Sequence, residues 1–440
     1  MKMKQWLLLV TLLMMTVTSA VGCSKSQAKE EATTVPPAPA QEDTTPIKIQ
    51  YWHSHDEDQT AGLDYMIKEF NKKYPYITVE PVFQGDYDEL QQKLMAAVAA
   101  KQVPAVTNVE VAKVPNFSES GMLADLSPYI ARDKMDTADF STGMLKAYNY
   151  QDKQYGLPLI VSTSVFVYNK TMFDKEGVTP PQSWDEIEAF AQKLTKKEGN
   201  KTTRFAFSVP GWSSWYYDPW IMNGGGSVLT QDNMSAIDQP DSMKFMNKFK
   251  EWKDKGYMHI GYGKGASDTM RQMFFDGKIG MVEHTSALIK WYMEKAKFEV
   301  GVSFLPGDKK RISQIGGAGI AVMDMASEKE KEAAWKFVQF MTAPENNIKW
   351  AEFTGYLPTR KSAIESEEGK QYFSKYPQYK AVFDNFDNVM PRDQHPAYDE
   401  VSEFYVQALG KVVLENADVE ASFKEATKQM NDVLAEYATK

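Results

Sequence analysis

A single cysteine, Cys23, stands in a chain of 440 residues. That excludes intramolecular disulfides and any cysteine-based zinc or iron–sulfur site. Basic charge is in deficit: 50 Lys and Arg face 59 Asp and Glu, for a net charge of −9. A general nucleic-acid binder would carry the opposite balance. No G-x-S-x-G nucleophile elbow occurs, and no P-loop; GGAG at 316–319 is too short to count as a nucleotide fingerprint. There is no internal repeat. What is present is ordinary globular material, with 43% hydrophobic and 25% charged residues. This rules out wholesale disorder and a polytopic membrane protein, and it leaves enough apolar surface for more than one core. Aromatic residues are plentiful at 12%, which suits packing and equally suits a site that stacks on planar or sugar-like ligands.

The N-terminus speaks to compartment. Lys2 and Lys4 precede the apolar run WLLLVTLLMMTV and then TSAVGC, the parts of a secretory signal. Ala20-Val21-Gly22-Cys23 resembles a bacterial lipobox, with Ala in place of the usual Leu. Residues 1–22 read as a lipoprotein signal peptide and Cys23 as the lipidation site. Losing those residues removes two lysines and deepens the negative charge. Residues 23–45, SKSQAKEEATTVPPAPAQEDTTP and its flanks, hold Val35 as their one large aliphatic and read as a flexible tether. The folded part is expected to begin near Ile47. An anchor, a spacer and a soluble part describe a protein held at a membrane and facing the extracytoplasmic side, at a cell surface or in a periplasm.

From Ile47 strand-like and helix-like segments alternate. IKIQYW, ITVEPVF and AVTNVEV read as strands, and GLDYMIKEFNKKYP and DELQQKLMAAVAAKQ as helices between them. This predicts an α/β architecture with a largely parallel core. WDEIEAFAQKLTKKEG is expected to be one helix, capped by Ser183 and ended by Gly199. KEAAWKFVQFMTAPE and ASFKEATKQMNDVLAEYATK are two more. YGLPLIVSTSVFVYNK (155–170) is one long β-rich segment, while VGVSFLPG and FTGYLPTRKSA are Gly/Pro-punctuated passages where a chain could leave one lobe for another.

The order and spacing of YWHS (51–54), FQGDYDEL (83–90), VEV (109–111), the 155–170 segment, PPQSWDEI, GWSSW (211–215), FFDGKIGM, IGGAGIAV and TGYLPTRKSA carry a resemblance. From about residue 46 onward the chain is similar to the extracellular solute-binding proteins of bacterial ABC importers, in their carbohydrate and glycerol-3-phosphate branch. The resemblance implies a periplasmic-binding-protein-like α/β fold of two lobes, a hinge of three chain crossings and a ligand cleft between the lobes. It places lobe one at 46–160 and 304–355, and lobe two at 163–302 and 357–440. It further implies a monomer without cofactor or metal, not an enzyme, that hands a small solute to permease subunits. A sugar or short oligosaccharide is the expected solute, and sn-glycerol 3-phosphate or a glycerophosphodiester the alternative. A glycan-processing enzyme and a sensor subunit are more remote readings.

Each candidate site residue also has a plain reading. Trp212 and Trp215 fall on the family's aromatic platform, although tryptophans three apart can simply fill a core. Tyr87, Glu110, Ser162, Ser286, Gly317 and Tyr356 match the family's ligand contacts. Glu110 could accept two hydrogen bonds from vicinal hydroxyls or could be a capping acid. Gly317 could admit ligand or mark a strand bulge. HSHDED (53–58) is the most metal-like cluster, but its acids suit a helix start, and His53 lining the cleft is the family-based expectation. In the glycerol-3-phosphate proteins an arginine lies three residues after the proline of the late cleft loop. Here Asp399 occupies that place after Pro396, which would repel phosphate and favour hydroxyls. Arg392, upstream in the same loop, is either a surface charge or a replacement.

Lipidation is directly testable. Cys23→Ala is expected to move the protein from the membrane pellet to the soluble fraction, since lipid attachment at this residue is the expected anchor. Retention of the variant in the pellet after a salt wash rejects the anchor.

Overall fold

Every residue of Leu157–Asn169 except Tyr168 is buried, the pattern of a strand covered on both faces. Around this strand a computed structural model describes residues 43–55, 57–263 and 265–437. Met1–Thr44 and Thr45–Lys440 are separate units. Cys23, the leader and the tether as far as residue 42 lie outside the described residues.

The first strands are β1 (Ile47–His53), β2 (Ile77–Phe83) and β3 (Val106–Glu110). A small hairpin, β4 (Asn149–Tyr150) and β5 (Lys153–Gln154), precedes the long β6 (Leu157–Asn169). Then come β7 (Lys196–Glu198), β8 (Lys201–Pro210), β9 (Met258–Gly261) and β10 (Ile279–Thr285). β11 (Val300–Ser303), β12 (Ser313–Val322) and β13 (Val389–Met390) complete the set. Eleven of them form one sheet in the order β2-β1-β3-β12-β6-β10-β8-β7, with β11 on β6, β13 on β12 and β9 on β8.

β6 changes partners along its length. Leu157–Thr163 pairs with β12, whereas Ser164–Asn169 pairs with β10 and β11. The sheet therefore has two halves joined through one strand. Helices Glu57–Lys73 and Glu328–Met341 pack on the β1–β12 half, and Trp184–Leu194 and Ala266–Phe275 on the β8–β10 half. The last two helices, Tyr398–Glu415 and Val419–Tyr437, pack on each other and on Ser214–Asn223 and Pro240–Asp254. Trp220, Trp252, Phe245 and Phe249 fill that interface.

Two expectations are corrected. The sheet is mixed rather than largely parallel, because β6 runs antiparallel to β12, β10 and β11. The helix at Trp184 ends at Leu194, its last buried position. Lys196–Glu198 leaves it to pair antiparallel with β8, and Gly199 turns that hairpin at φ +59°. Helix-forming Lys and Glu are overruled there by an available sheet edge. Ser183 stands at the helix N-cap in extended conformation without a side-chain cap bond.

Burial sets an unusual charge ledger. Glu283 on β10 is wholly enclosed, accepting from Ser164 Oγ at 2.6 Å and Trp220 Nε1 at 2.9 Å. Desolvation pushes its carboxyl from 4.5 to about 8. Burial likewise pulls His53 from 6.5 to about 4, and His55 and His284 to about 3. Between about pH 4 and 6.5 the unfolded chain binds more protons at these histidines, so stability rises with pH. Between 4.5 and 8 the folded chain binds more at Glu283, so that contribution falls as pH rises. Above about 6.5 these histidines are neutral, and Glu283 then contributes a fall of up to roughly 1.4 kcal/mol per pH unit as far as about pH 8. Urea unfolding from pH 4 to 9 is expected to show maximal stability near neutrality. Glu283→Gln is expected to flatten the alkaline fall while keeping a donor and an acceptor for Ser164 and Trp220. A variant curve parallel to wild type above pH 7 contradicts the assignment.

Candidate functional site

Where the two sheet halves meet, β3, β6 and β12 send Glu110, Ser162, Gly316 and Gly317 to one cavity of about 320 Å³. The start of helix Tyr87–Ala100 adds Tyr87 and Asp88, and the turn after β3 adds Lys113. The segment around the start of helix Ser214–Asn223 contributes Trp212, Ser213, Trp215 and Tyr216. The C-terminal region supplies Arg392 and Asp399. Thus eight of the eleven sequence-based ligand candidates come together: Tyr87, Glu110, Ser162, Trp212, Trp215, Gly317, Arg392 and Asp399.

Local geometry explains how these groups are held. Asp86 forms a reciprocal capping box with Glu89, which fixes the helix start that carries Tyr87 and Asp88. Glu110 ends β3 and caps the following turn, its Oε2 accepting from the Ala112 N–H at 3.1 Å. Gly316 and Gly317 are required for different reasons. A Cβ on Gly316 would lie 2.7 Å from the Trp215 ring. Gly317 has φ +95° and a Cβ there would strike the Ile160 carbonyl, beside a register shift in the β6–β12 ladder. Trp215 and Trp212 each meet Tyr216 edge-on, with centroids 4.8 and 5.5 Å apart.

The charges interlock. Lys113, only 9% exposed, reaches Asp88 Oδ1 and Asp399 Oδ2 at 2.9 Å each. Burial opposes its charge, but Asp399 and Asp88 outweigh burial and raise its pKa. Arg392 Nη2 lies 3.9 Å from Glu110 Oε1, with the Arg392 side chain buried and that of Glu110 12% exposed. For Arg392 too burial opposes the charge, and Glu110 and Asp218 more than restore it. Burial raises the Glu110 pKa, with Arg392 pulling the other way. Two N–H donors on residues that line this cavity, Arg392 Nε and Trp215 Nε1, are buried without a hydrogen-bond partner. Unpaired buried donors cost free energy unless something accepts from them.

Three candidates sit elsewhere. His53 packs in a buried group, its Nδ1 accepting from the His55 N–H at 3.2 Å and its ring stacked on His55. It does not line the cavity. Ser286 is fully enclosed, and its Oγ accepts from the Thr163 N–H at 3.0 Å. Tyr356 is half-buried and not part of the lining, but it is hydrogen-bonded to the lining residue Tyr87. Asp399 lines the cavity as expected but is no bare carboxylate, because Lys113 offsets its charge. Arg392 is 8% exposed and faces Glu110, which excludes the surface-charge alternative. Sequence reasoning missed Asp88, Lys113, Ser213, Tyr216 and Gly316. A lysine three places after Glu110 in an otherwise apolar VEVAKVP was the available signal for Lys113.

Of the HSHDED cluster, Asp56 and the side chains of Glu57 and Asp58 lie outside the described residues. Among the described residues no group of three or more His, Cys, Asp or Glu could hold a metal ion, and no helix is long and apolar enough to cross a membrane.

A small polar cavity walled by aromatics lies at the junction of two α/β sheet halves, an arrangement that suits the capture of a small solute in the manner of periplasmic binding proteins. The chain belongs to the bacterial extracellular solute-binding protein family, which matches residues 65–381. It is 28% identical over 357 residues to the sn-glycerol-3-phosphate-binding periplasmic protein UgpB of Escherichia coli strain K12, covering 75% of this chain and 78% of that one. Among solved structures, UgpB from Mycobacterium tuberculosis in complex with glycerophosphocholine is similar with a TM-score of 0.79 and 25% identity, covering 90% of this chain and all of that one. The sugar-binding protein MalE from Xanthomonas citri shares the fold at a TM-score of 0.78 and 19% identity, over 89% and 98% of the two chains. The chain is accordingly a solute-binding protein of an ABC importer.

The Lys113 bridge is open to a double-mutant cycle. Lys113→Met and Asp399→Asn, alone and together, are expected to show a coupling of about 1 kcal/mol in urea unfolding, modest because Asp399 is half exposed. Zero coupling means that the pair does not contribute.

Proposed function

We propose that the solute is a sugar or short oligosaccharide, bound without turnover between two lobes and handed to the permease subunits of an importer. The observation that carries this reading is that two buried donors without partners, Arg392 Nε and Trp215 Nε1, belong to residues that line one cavity together with Glu110. A polyol fits both demands, since each hydroxyl accepts from an N–H and donates to a carboxylate. Trp212 and Trp215 supply apolar faces for a pyranose ring. Asp88, Glu110 and Asp399 outnumber Lys113 and Arg392, which disfavours a phosphate dianion.

A second reading, a glycerophosphodiester, is favoured by the buried charged Arg392 with its free Nε, a natural partner for a phosphate oxygen. The relatives named for sn-glycerol 3-phosphate and glycerophosphocholine support it. In either case the lobe division inferred above, with 46–160 and 304–355 opposite 163–302 and 357–440, makes β6 one of the crossing segments. An extracytoplasmic monomer tethered through Cys23 completes the proposal.

A thermal-shift screen of sugars, sn-glycerol 3-phosphate and glycerophosphocholine, followed by titration of the best binder, separates the readings. For a sugar, Glu110→Gln is expected to weaken binding about tenfold, a charged acceptor being worth about 1.5–3 kcal/mol. For a phosphodiester, Arg392→Ala is expected to cost about a hundredfold and Glu110→Gln little. Stabilisation by glycerophosphocholine alone, lost in Arg392→Ala, rejects the sugar reading.

A further inference from the structure

The ammonium of Lys113 is 9% exposed, yet the two carboxylates that hold it are not buried: the Asp88 side chain is 76% exposed and that of Asp399 50%. A cation so little hydrated depends on its counter-charges. Asp399 has a second attachment. It stands in the first turn of helix Tyr398–Glu415, whose N-cap, Ala397, makes no side-chain cap bond, and a helix start favours negative charge. The other cation of the cavity is close by in the electrostatic sense, because the Glu110 carboxylate interacts with Arg392, Asp399 and Lys113 alike. Arg392 is 8% exposed, and its Nε has no acceptor. Two buried cations and a helix start thus border one cavity, and the carboxylate of Asp399 takes up one cation and the helix start together.

We propose that Asp399 is a built-in counter-ion: it holds, on Lys113 and at the helix start, the place that an anionic group of a solute would otherwise take, and so bars phosphate monoesters from the cavity. This rests on the reading of the cavity as the solute site. With Asp399 charged, three carboxylates face two cations, and a dianion meets a net negative surround. With that one charge removed, the remaining charges balance. A phosphate would then draw on the Lys113 ammonium, the free Nε of Arg392 and the N–H groups of the helix start. Asp88 is the weaker counter-ion of the two, because solvent screens a carboxylate that is three-quarters exposed. An uncharged polyol is admitted either way, since Arg392 Nε and Trp215 Nε1 donate to hydroxyls without any need to release Lys113.

The four proteins of the Lys113–Asp399 cycle test this as full-length chains, titrated calorimetrically with sn-glycerol 3-phosphate, with glycerol as the same skeleton lacking phosphate, and with glucose, xylose and maltose. Asp399→Asn is expected to bind sn-glycerol 3-phosphate at least about tenfold more tightly than wild type, with no gain for glycerol. Adding Lys113→Met is expected to remove that gain. Asp399→Ser, which carries no amide, is expected to gain likewise, so the test does not hang on one variant. The counter-ion role is overturned if neither Asp399 variant binds sn-glycerol 3-phosphate more tightly than wild type, if glycerol gains as much, or if the gain survives Lys113→Met. Wild type alone decides the sugar reading. A wild type that takes a sugar, beside Asp399 variants that gain nothing for phosphate, keeps that reading and rejects the counter-ion. A wild type that binds sn-glycerol 3-phosphate in preference to every sugar rejects both.

Discussion

One strand's exchange of partners underlies everything else. β6 pairs with β12 up to Thr163 and with β10 and β11 from Ser164, so the hydrogen-bond ladder passes from one sheet half to the other without a break. The exchange is secured by buried hydroxyls rather than by bulk. Thr163 Oγ1 lies 2.9 Å from Ser313 Oγ and from the Gln314 carbonyl, and Ser313 Oγ donates to the Ser164 carbonyl at 2.8 Å. Each polar atom placed there must be satisfied internally, since no water competes. Ser286 belongs to this network, which is why it serves the backbone of Thr163 and not the cavity.

The cavity follows from that junction. Ser162 stands one residue before the exchange and Gly316 opposite it on β12, so both sheet halves must abut there. Side chains cannot fill the space fully, because Gly316 yields its place to the Trp215 ring. Charge then becomes affordable only in pairs. A buried guanidinium or ammonium without a counter-charge would cost several kcal/mol. Arg392 has Glu110 and Asp218, and Lys113 has Asp88 and Asp399. Asp218 is itself held by the hydroxyls of Tyr398 and Tyr405, which ties helix Ser214–Asn223 to helix Tyr398–Glu415. Pairing is complete for Lys113 and incomplete for Arg392, whose Nε is left over. That asymmetry is the reason Arg392 figures in both proposed readings of the solute.

The sequence by itself determined the α/β class, the strands at 47–53, 77–83 and 106–110, and the long buried strand at 157–169, because period and burial leave a direct trace in residue type. It also determined most of the cavity, since Tyr87, Glu110, Trp212 and Trp215 lie in segments whose order and spacing are shared across a family. Only the tertiary structure decided the rest. Lys196–Glu198 became a strand because β8 offered an edge, although its residues favour a helix. His53 went inward because Tyr51, His55 and Phe83 surround it, which no local pattern records. Lys113 and Asp399 are 286 residues apart, so a carboxylate that reads alone in the sequence in fact shares a lysine with Asp88. The sign of a site depends on distances between remote residues, and Coulomb energy falls with separation in space, not along the chain.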